Sequence, residues 1–274
     1  MGEGYNRGGR IQMSANLAPG APTPATDETI VLRDNFVAHG RTVPTGNGWT
    51  WITDAWSIFR RAAGLWIGMV LLLTVIYVVL AMLPAIGAVV SFVIGPVFTA
   101  GLVLASRTID QGGEPQFAQL FAGFKHRFGP LAVLGVVSLA ITAVIMVIVV
   151  AITGVQVLRL VGADSSPEVI LAAAASLVLA ILLMTALLLP LVMATWFAPA
   201  LIVFHELGAL AAMKASFIGC LKNMLPFLLY GVILLVAAAV ASVPFGLGWL
   251  VLGPVTFASI YTAYRDIYFS ESPG

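Results

Sequence analysis

Long apolar stretches without ionisable side chains dominate this sequence and leave few folds open to it. A helix needs about 20 apolar residues to cross a hydrocarbon core of about 30 Å. Five stretches suit such a crossing and contain no Asp, Glu, Lys, Arg or His: Leu65–Leu83, Ala85–Ser106, Pro130–Thr153, Val169–Phe204 and Pro226–Ser242. A sixth, Pro244–Tyr264, also begins at a proline, which suits the first turn of a helix. The sequence therefore predicts an all-α, polytopic integral membrane protein with six transmembrane helices in three hairpins.

Composition and charge support this class and exclude others. Hydrophobic residues make up 60% of the chain and charged residues 9%, whereas soluble domains carry about 25% charged residues. The net charge of +1 is too small for binding a polyanion, so no nucleic-acid partner is expected. The single cysteine, Cys220, excludes an internal disulfide and a Cys-based zinc cluster.

The distribution of basic residues predicts the topology. Val169–Phe204 is long enough to hold two spans instead of one, which would give seven spans and place Lys214 and Lys222 outside. With six spans, every Lys and Arg except Arg159 lies on one side of the membrane. Because cytoplasmic segments carry an excess of Lys and Arg, we expect six spans and two cytoplasmic termini.

Three segments preceding the hairpins have apolar residues at helical spacing, together with basic residues. They are WTWITDAWSIFRR from Trp49, PQFAQLFAGFKHRF from Pro115 and LAAMKASFIGCLKNM from Leu210. Such a composition is typical of amphipathic helices lying at a membrane surface. We predict one cytoplasmic-side interfacial helix before each hairpin. The expected contacts with the interface or lipid headgroups are Trp49, Trp56, Arg60, Arg61, Arg107, Phe121, Lys125, Arg127, Lys222 and Arg265.

Two interpretations remain open for the basic residues at the ends of the second and sixth spans. Arg107 and Asp110 are three residues apart, which favours a local ion pair on the helix. Arg107 and Arg265 could instead bind anionic lipid phosphate beside the interfacial helices.

Matching residues indicate an internal repeat. The pattern Phe121-x-Gly123 with Pro130-x4-Gly135 recurs 96 residues later, and GPVFTAGLVLASRTID resembles GPVTFASIYTAYRDIY. We therefore predict three copies of an interfacial helix followed by a hairpin, at about 49–110, 114–206 and 210–268. The middle copy is longer, because apolar residues extend its two helices at 151–180. This extension is the expected contact for a second copy, for another membrane protein or for lipid.

The two ends of the chain differ from the transmembrane domain at 48–268. Residues 1–47 are rich in Gly, Pro, Ala and Thr and lack a sustained apolar period, which predicts a disordered cytoplasmic tail. No apolar core of a signal peptide occurs before Leu65. Residues 269–274 are expected to form a short C-terminal tail.

Several strings resemble an uncharacterised family of proteobacterial inner-membrane proteins: GWTWITDAWSIFRRAAGLWIG, GPVFTAGLVLASRTIDQGG, FAQLFAGFKHRFG and TWFAPALIVF. The resemblance covers about Gly48 to Tyr268. The sequence is more distantly similar to the membrane region attached to some bacterial glycerophosphodiester phosphodiesterases, but it lacks their catalytic domain. The resemblance implies a bacterial inner membrane and six helices, and it supplies no activity.

The sequence contains no pattern that predicts catalysis. No catalytic, cofactor-binding or metal-binding residue is assigned, because no GxSxG, HExxH, P-loop or dinucleotide pattern occurs. His205 and Glu206 could form a cytoplasmic cluster with His126, but the interpretation we favour is that they mark a membrane boundary. We expect a non-enzymatic protein that organises membrane lipid or partner proteins. The alternative is a transporter or lipid-handling protein that uses the repeated hairpins.

Overall fold

The computed structural model describes residues 36–162, 167–243 and 245–269, and most of these residues are helical. Of residues 1–36, which form a separate unit, only Phe36 is described. In the unit that begins at Val37, the helices are α1 (Asn47–Arg61), α2 (Ala63–Ala81), α3 (Ile86–Asp110), α4 (Ala122–Lys125), α5 (Phe128–Gly162), α6 (Pro167–Trp196), α7 (Ala198–His205), α8 (Ala209–Lys222), α9 (Met224–Ser242) and α10 (Trp249–Tyr268).

Five segments of the described chain are long and apolar enough to cross a membrane. They are α2, α3, residues Phe128–Gly154 of α5, the segment Pro167–His205 and α9. The sixth expected span corresponds to α10, which does not meet this criterion because its C-terminal half is polar and carries Arg265 and Asp266. It begins at Trp249, and the expected start at Pro244 lies outside the described residues.

The segment expected as one apolar stretch from Val169 to Phe204 is broken near its end. Helix α6 stops at Trp196, and α7 starts at Ala198 with Pro199 in its first turn. Proline has no backbone N–H to donate and crowds the preceding turn, so the break falls just before it. Ser216 of α8 accepts the backbone N–H of Phe197 at 3.0 Å. Pro190, in contrast, leaves α6 continuous.

Helices α3 and α10 form the centre of the bundle. Their C-terminal halves are largely buried, and α3 packs on α1, α2, α5, α7 and α10. Small residues allow close backbone approach, because a Cβ on Gly101 would collide with the Leu120 carbonyl and one on Gly123 with the Val97 carbonyl. Small residues therefore allow α3 to pack closely on the Phe117–Phe121 segment and on α4.

Part of the segment expected as an N-terminal tail contacts the helices. Residues 1–35 lie outside the described residues, but residues 37–46, here called the strap, are held against α8 and α10. The Val37 N–H donates to the Tyr268 carbonyl at 2.9 Å, and the Val43 N–H donates to Asn223 Oδ1 at 2.8 Å. Composition alone missed this segment because its order comes from partners distant in sequence.

The expected interfacial helices differ in form. The segment before α5 is a 3-10 helix, Phe117–Phe121, followed by the short α4, and not one continuous helix. In α1, Trp51 is buried while Trp49 and Trp56 are exposed. Helix α8 buries a face of small residues that includes Ala212, Ser216 and Gly219; its expected apolar stripe is divided, since Met213 is buried and Leu210 is exposed.

Candidate functional site at the charged end and the lateral groove

Ionisable side chains gather at one end of the bundle, here called the charged end: Arg41, Asp54, Arg107, Asp110, Arg127, His205, Glu206, Lys222, Arg265 and Asp266. The loops between the hairpins and the ends of α3, α7 and α10 meet there. Lys222 donates to the Gly40 carbonyl at 3.0 Å, so this lysine lies at the same end as the strap.

Asp266 is the hub of the first cluster at the charged end. Its carboxylate accepts hydrogen bonds from Arg41 Nη2 at 2.9 Å, Asn47 Nδ2 at 2.8 Å and Trp51 Nε1 at 2.8 Å. Arg41 Nε also donates to the Asp266 carbonyl at 2.7 Å. One carboxylate therefore joins the strap, α1 and α10.

Arg265 is the hub of a second cluster. Its guanidinium contacts Asp110 Oδ2 at 2.6 Å and Asp54 Oδ2 at 3.1 Å. Tyr261 also donates to Asp110, at 3.0 Å. The local ion pair expected between Arg107 and Asp110 is therefore wrong, because the Asp110 carboxylate turns to α10 instead. Sequence spacing along α3 could not show that Arg265 of α10 would contact the Asp110 carboxylate.

Arg107 lies over the Phe204 ring, with its guanidinium carbon 5.0 Å from the ring centroid. This is a cation–π distance, so Arg107 links α3 to α7. Beside it, His205 Nε2 lies 2.5 Å from the Tyr264 hydroxyl oxygen. Arg127 donates to the Glu206 carbonyl and has a longer contact of 3.9 Å with its carboxylate.

The residues expected at the lipid interface fall into two groups. Trp49, Trp56, Arg60, Phe121 and Lys125 are exposed on the surface of the molecule. The others contact protein groups: Arg61, for example, donates to the Ile109 carbonyl at 3.3 Å. Arg107, Arg127, Lys222 and Arg265 have the partners given above. The structure contains no membrane, so lipid contact of these ten residues stays a prediction.

The ionisable groups do not form a metal-binding cluster within the described part of the chain. His205 pairs with Tyr264, and Glu206 lies against Arg127. Cys220 is buried on α8, and this burial raises the pKa of its thiol to about 12. A thiol with so high a pKa is protonated and unreactive at neutral pH.

A lateral groove of about 870 Å³ lies between α6 and α9, with α8 and α10 also contributing. Its walls include Val192 and Trp196 of α6 and Leu228, Gly231 and Leu235 of α9. Several polar side-chain groups in the lining are already bonded within the protein: Cys220 with Met193, Tyr230 with Ser259 and Thr256 with Leu252. The groove therefore offers apolar contacts.

Helix contacts around the bundle follow a regular order. The second helix of each hairpin packs on the segment that precedes the next hairpin: α3 on Phe117–Phe121 and α4, α6 on α8, and α10 on α1. Helix α3 also packs closely along α5, and a Cβ on Gly135 would collide with the Phe92 carbonyl. At the corresponding place between α6 and α9, the lateral groove is open.

Sequence reasoning missed several residues that organise the charged end. Asp266, Asn223 and Asp54 were not singled out, and Trp51 was not distinguished from its neighbours. A usable signal was present, because Asn223 and Asp266 are polar residues at the ends of otherwise apolar helices. Such residues need hydrogen-bond partners when they are buried, as Asn223 is.

The sequence is similar to a probable inner membrane protein of Burkholderia thailandensis. The two are 24% identical over 260 residues, which covers 85% of this chain and 94% of that protein. No protein-family model matches the chain, and no solved structure matches it. Together with the apolar helices of this chain, this likeness supports a multi-pass inner-membrane protein. The name of the relative states no molecular activity.

Proposed function

We propose that this chain is a non-enzymatic inner-membrane protein that organises partner proteins through its α5–α6 hairpin. The observation that carries the proposal is the length of this hairpin. Helix α5 has 35 residues and α6 has 30, so they are about 52 Å and 45 Å long at 1.5 Å per residue. A hydrocarbon core is about 30 Å thick, so both helices extend beyond one upright crossing.

The far part of α6 is apolar and uncovered. Leu171 is 72% exposed and Val178 is 56% exposed, and they lie seven residues apart on one helix face. Exposing such surface to water costs about 25 cal/mol per Å². Tilting would keep part of it within lipid, and a partner would cover it. We propose another helical membrane protein as the partner, and a second copy is the first candidate to test.

The test compares two double variants of the full chain in vesicles. Leu171→Ala with Val178→Ala removes apolar surface from the hairpin, and Val75→Ala with Val79→Ala removes exposed surface from α2 as the matched control. Chemical crosslinking is expected to give less protein–protein adduct for the hairpin variant only. Equal adduct yields for wild type and both variants would contradict the proposal.

The six-span topology with cytoplasmic termini belongs to the same proposal. Its support is the charged end, which gathers the basic residues of the loops and of α10 at one side of the bundle. The regular order of helix contacts supports the three-unit repeat, in which α10 is the sixth span. Reporter fusions after Arg107, Lys222 and Gly274 are expected to report the cytoplasm. A fusion after Asp164 is expected to report the periplasm, and an external signal at Lys222 would contradict the topology.

A lipid-handling function is the second candidate, and the lateral groove favours it. The groove lies between apolar helices and opens to the side of the bundle, where lipid chains would surround it. An opening of this kind does not require a channel through the protein.

A further inference from the structure

The lateral groove extends along much of α9. On α9 its lining extends from Met224 to Ala238, which corresponds to about 21 Å of helix at 1.5 Å per residue. It begins in the first turn of α9, directly after the charged end, and continues towards the middle of the bundle. Its volume of about 870 Å³ lies within the range of about 300–1,000 Å³ that is typical of small-ligand sites.

Most of the lining would contact an apolar occupant. The Cys220 thiol donates to the Met193 carbonyl at 3.5 Å, and the Thr256 hydroxyl donates to the Leu252 carbonyl at 2.8 Å. The Tyr230 hydroxyl is paired with Ser259 at 2.6 Å. Because these groups already have partners, a ligand gains little from polar atoms here, and a hydrocarbon chain fits best.

The shape and composition of the lining favour a hydrocarbon chain as its occupant. The lining runs along about 21 Å of α9 and consists almost wholly of aliphatic and aromatic side chains. A hydrocarbon chain is much thinner than a helix and can lie along the groove without separating α6 from α9.

The groove lies where a close helix–helix contact, made at the matching position of the preceding repeat, is absent at Gly231. Gly135, which occupies the matching sequence position 96 residues earlier, packs against the backbone of α3 at Phe92 and Val93. A Cβ on Gly231 would have no neighbour within 4 Å. The close helix contact made at Gly135 is thus replaced at Gly231 by open, apolar space.

We propose that this groove binds an acyl chain of an anionic bilayer phospholipid. The preference for a negative headgroup follows from Lys222, an exposed lysine two residues before Met224. Its ammonium group has three donors, of which one is bonded to the Gly40 carbonyl. Because Lys222 lies two residues before the Met224 end of the lining, we expect the headgroup of a chain in the groove to be close to this lysine.

This inference rests on the proposed membrane placement and on the lipid-handling candidate, and it does not require the partner contact of the α5–α6 hairpin. The probe is phosphatidylglycerol with a photoreactive diazirine in one acyl chain, mixed at low fraction into phosphatidylcholine vesicles that contain the full-length protein. After illumination, lipid adducts are located by peptide mass spectrometry. We expect them on the lining segments around Val192 and Leu228.

The test variant is Gly231→Phe, which fills the groove from α9. The matched control is Gly64→Phe, because a Cβ on Gly64 also has open space but Gly64 does not line the groove. We expect adducts at the groove to fall about tenfold in Gly231→Phe, the effect of losing the burial of roughly two methylene groups. Gly64→Phe is expected to match wild type. Ala238→Phe fills the groove at another point and serves if Gly231→Phe does not fold.

Several results would overturn the proposal. Unchanged adducts in both groove-filling variants would show that the chain does not lie in the groove. Loss of a protein–protein crosslink with lipid adducts unchanged would assign the groove to a second copy. Equal labelling by phosphatidylcholine and phosphatidylglycerol probes would reject the anionic headgroup, since one nearby lysine is expected to give about a fivefold preference. The double variant Leu171→Ala with Val178→Ala should keep its groove adducts, which separates this test from the partner proposal.

Discussion

Replacing Asp266 with alanine removes only a few atoms, but it is expected to destabilise the protein strongly. The substitution removes the acceptor for three side chains, Arg41, Asn47 and Trp51, from the strap and α1. The carboxylate of Asp266 is only 18% exposed, and Trp51 is 1% exposed. Water therefore reaches the Trp51 indole N–H poorly once its acceptor is lost.

The magnitude follows from this burial. Leaving a buried donor without an acceptor costs about 1–3 kcal/mol, so the Trp51 indole dominates the effect. The Arg41 side chain is 31% exposed and can be hydrated, so its ion pair adds no more than about 1 kcal/mol. The free energy of unfolding should fall by about 1–4 kcal/mol in total. Asp266→Asn keeps one acceptor oxygen and should lose less.

The measurement is equilibrium unfolding of the purified protein in mixed micelles of dodecyl maltoside and sodium dodecyl sulfate. Asp54→Ala is the matched control, because Asp54 also pairs with an arginine of α10 but is 41% exposed. Its loss should cost no more than about 1 kcal/mol. If Asp266→Ala and Asp54→Ala reduce the free energy of unfolding equally, the buried-acceptor reasoning is wrong.

Three further predictions follow from close packing and burial. Gly135→Ala should reduce the yield of folded protein in size-exclusion chromatography, because its Cβ would collide with the α3 backbone, whereas Gly231→Ala should be tolerated. Cys220 should resist N-ethylmaleimide at pH 7.5 until the protein is denatured, because burial raises the pKa of its thiol to about 12. In variants that retain a single tryptophan, a shallow lipid-attached quencher should reduce the emission of Trp49 more than that of Trp51, which is buried.

Each of these predictions has a result that would count against it. Equal yields of the two glycine variants would mean that α3 can move away from α5 without cost. Rapid labelling of native Cys220 would show that α8 separates from α6 in solution. Quenching of Trp49 that does not depend on the depth of the quencher would contradict placement of α1 at the membrane surface.

The sequence by itself determined the class of the protein and most helix positions. Five uninterrupted apolar stretches leave the backbone only one way to satisfy its hydrogen bonds in lipid, which is to form helices. The observed helices α2, α3, α5 and α9 therefore overlap the expected spans closely. Polar residues at helix ends were less informative, because the same residue can face lipid headgroups, water or another helix.

Only the tertiary structure decided which of these polar residues meet. Asp110 pairs with Arg265, which is 155 residues away, and not with Arg107, which is three residues away. The strap is ordered by Asn223 and α10 although its own composition is typical of disorder. Gly135 and Gly231 match in sequence, yet one contacts a helix and the other faces the lateral groove. Hydrophobicity is a property of each segment, whereas ion pairs and grooves depend on how segments distant in sequence are placed.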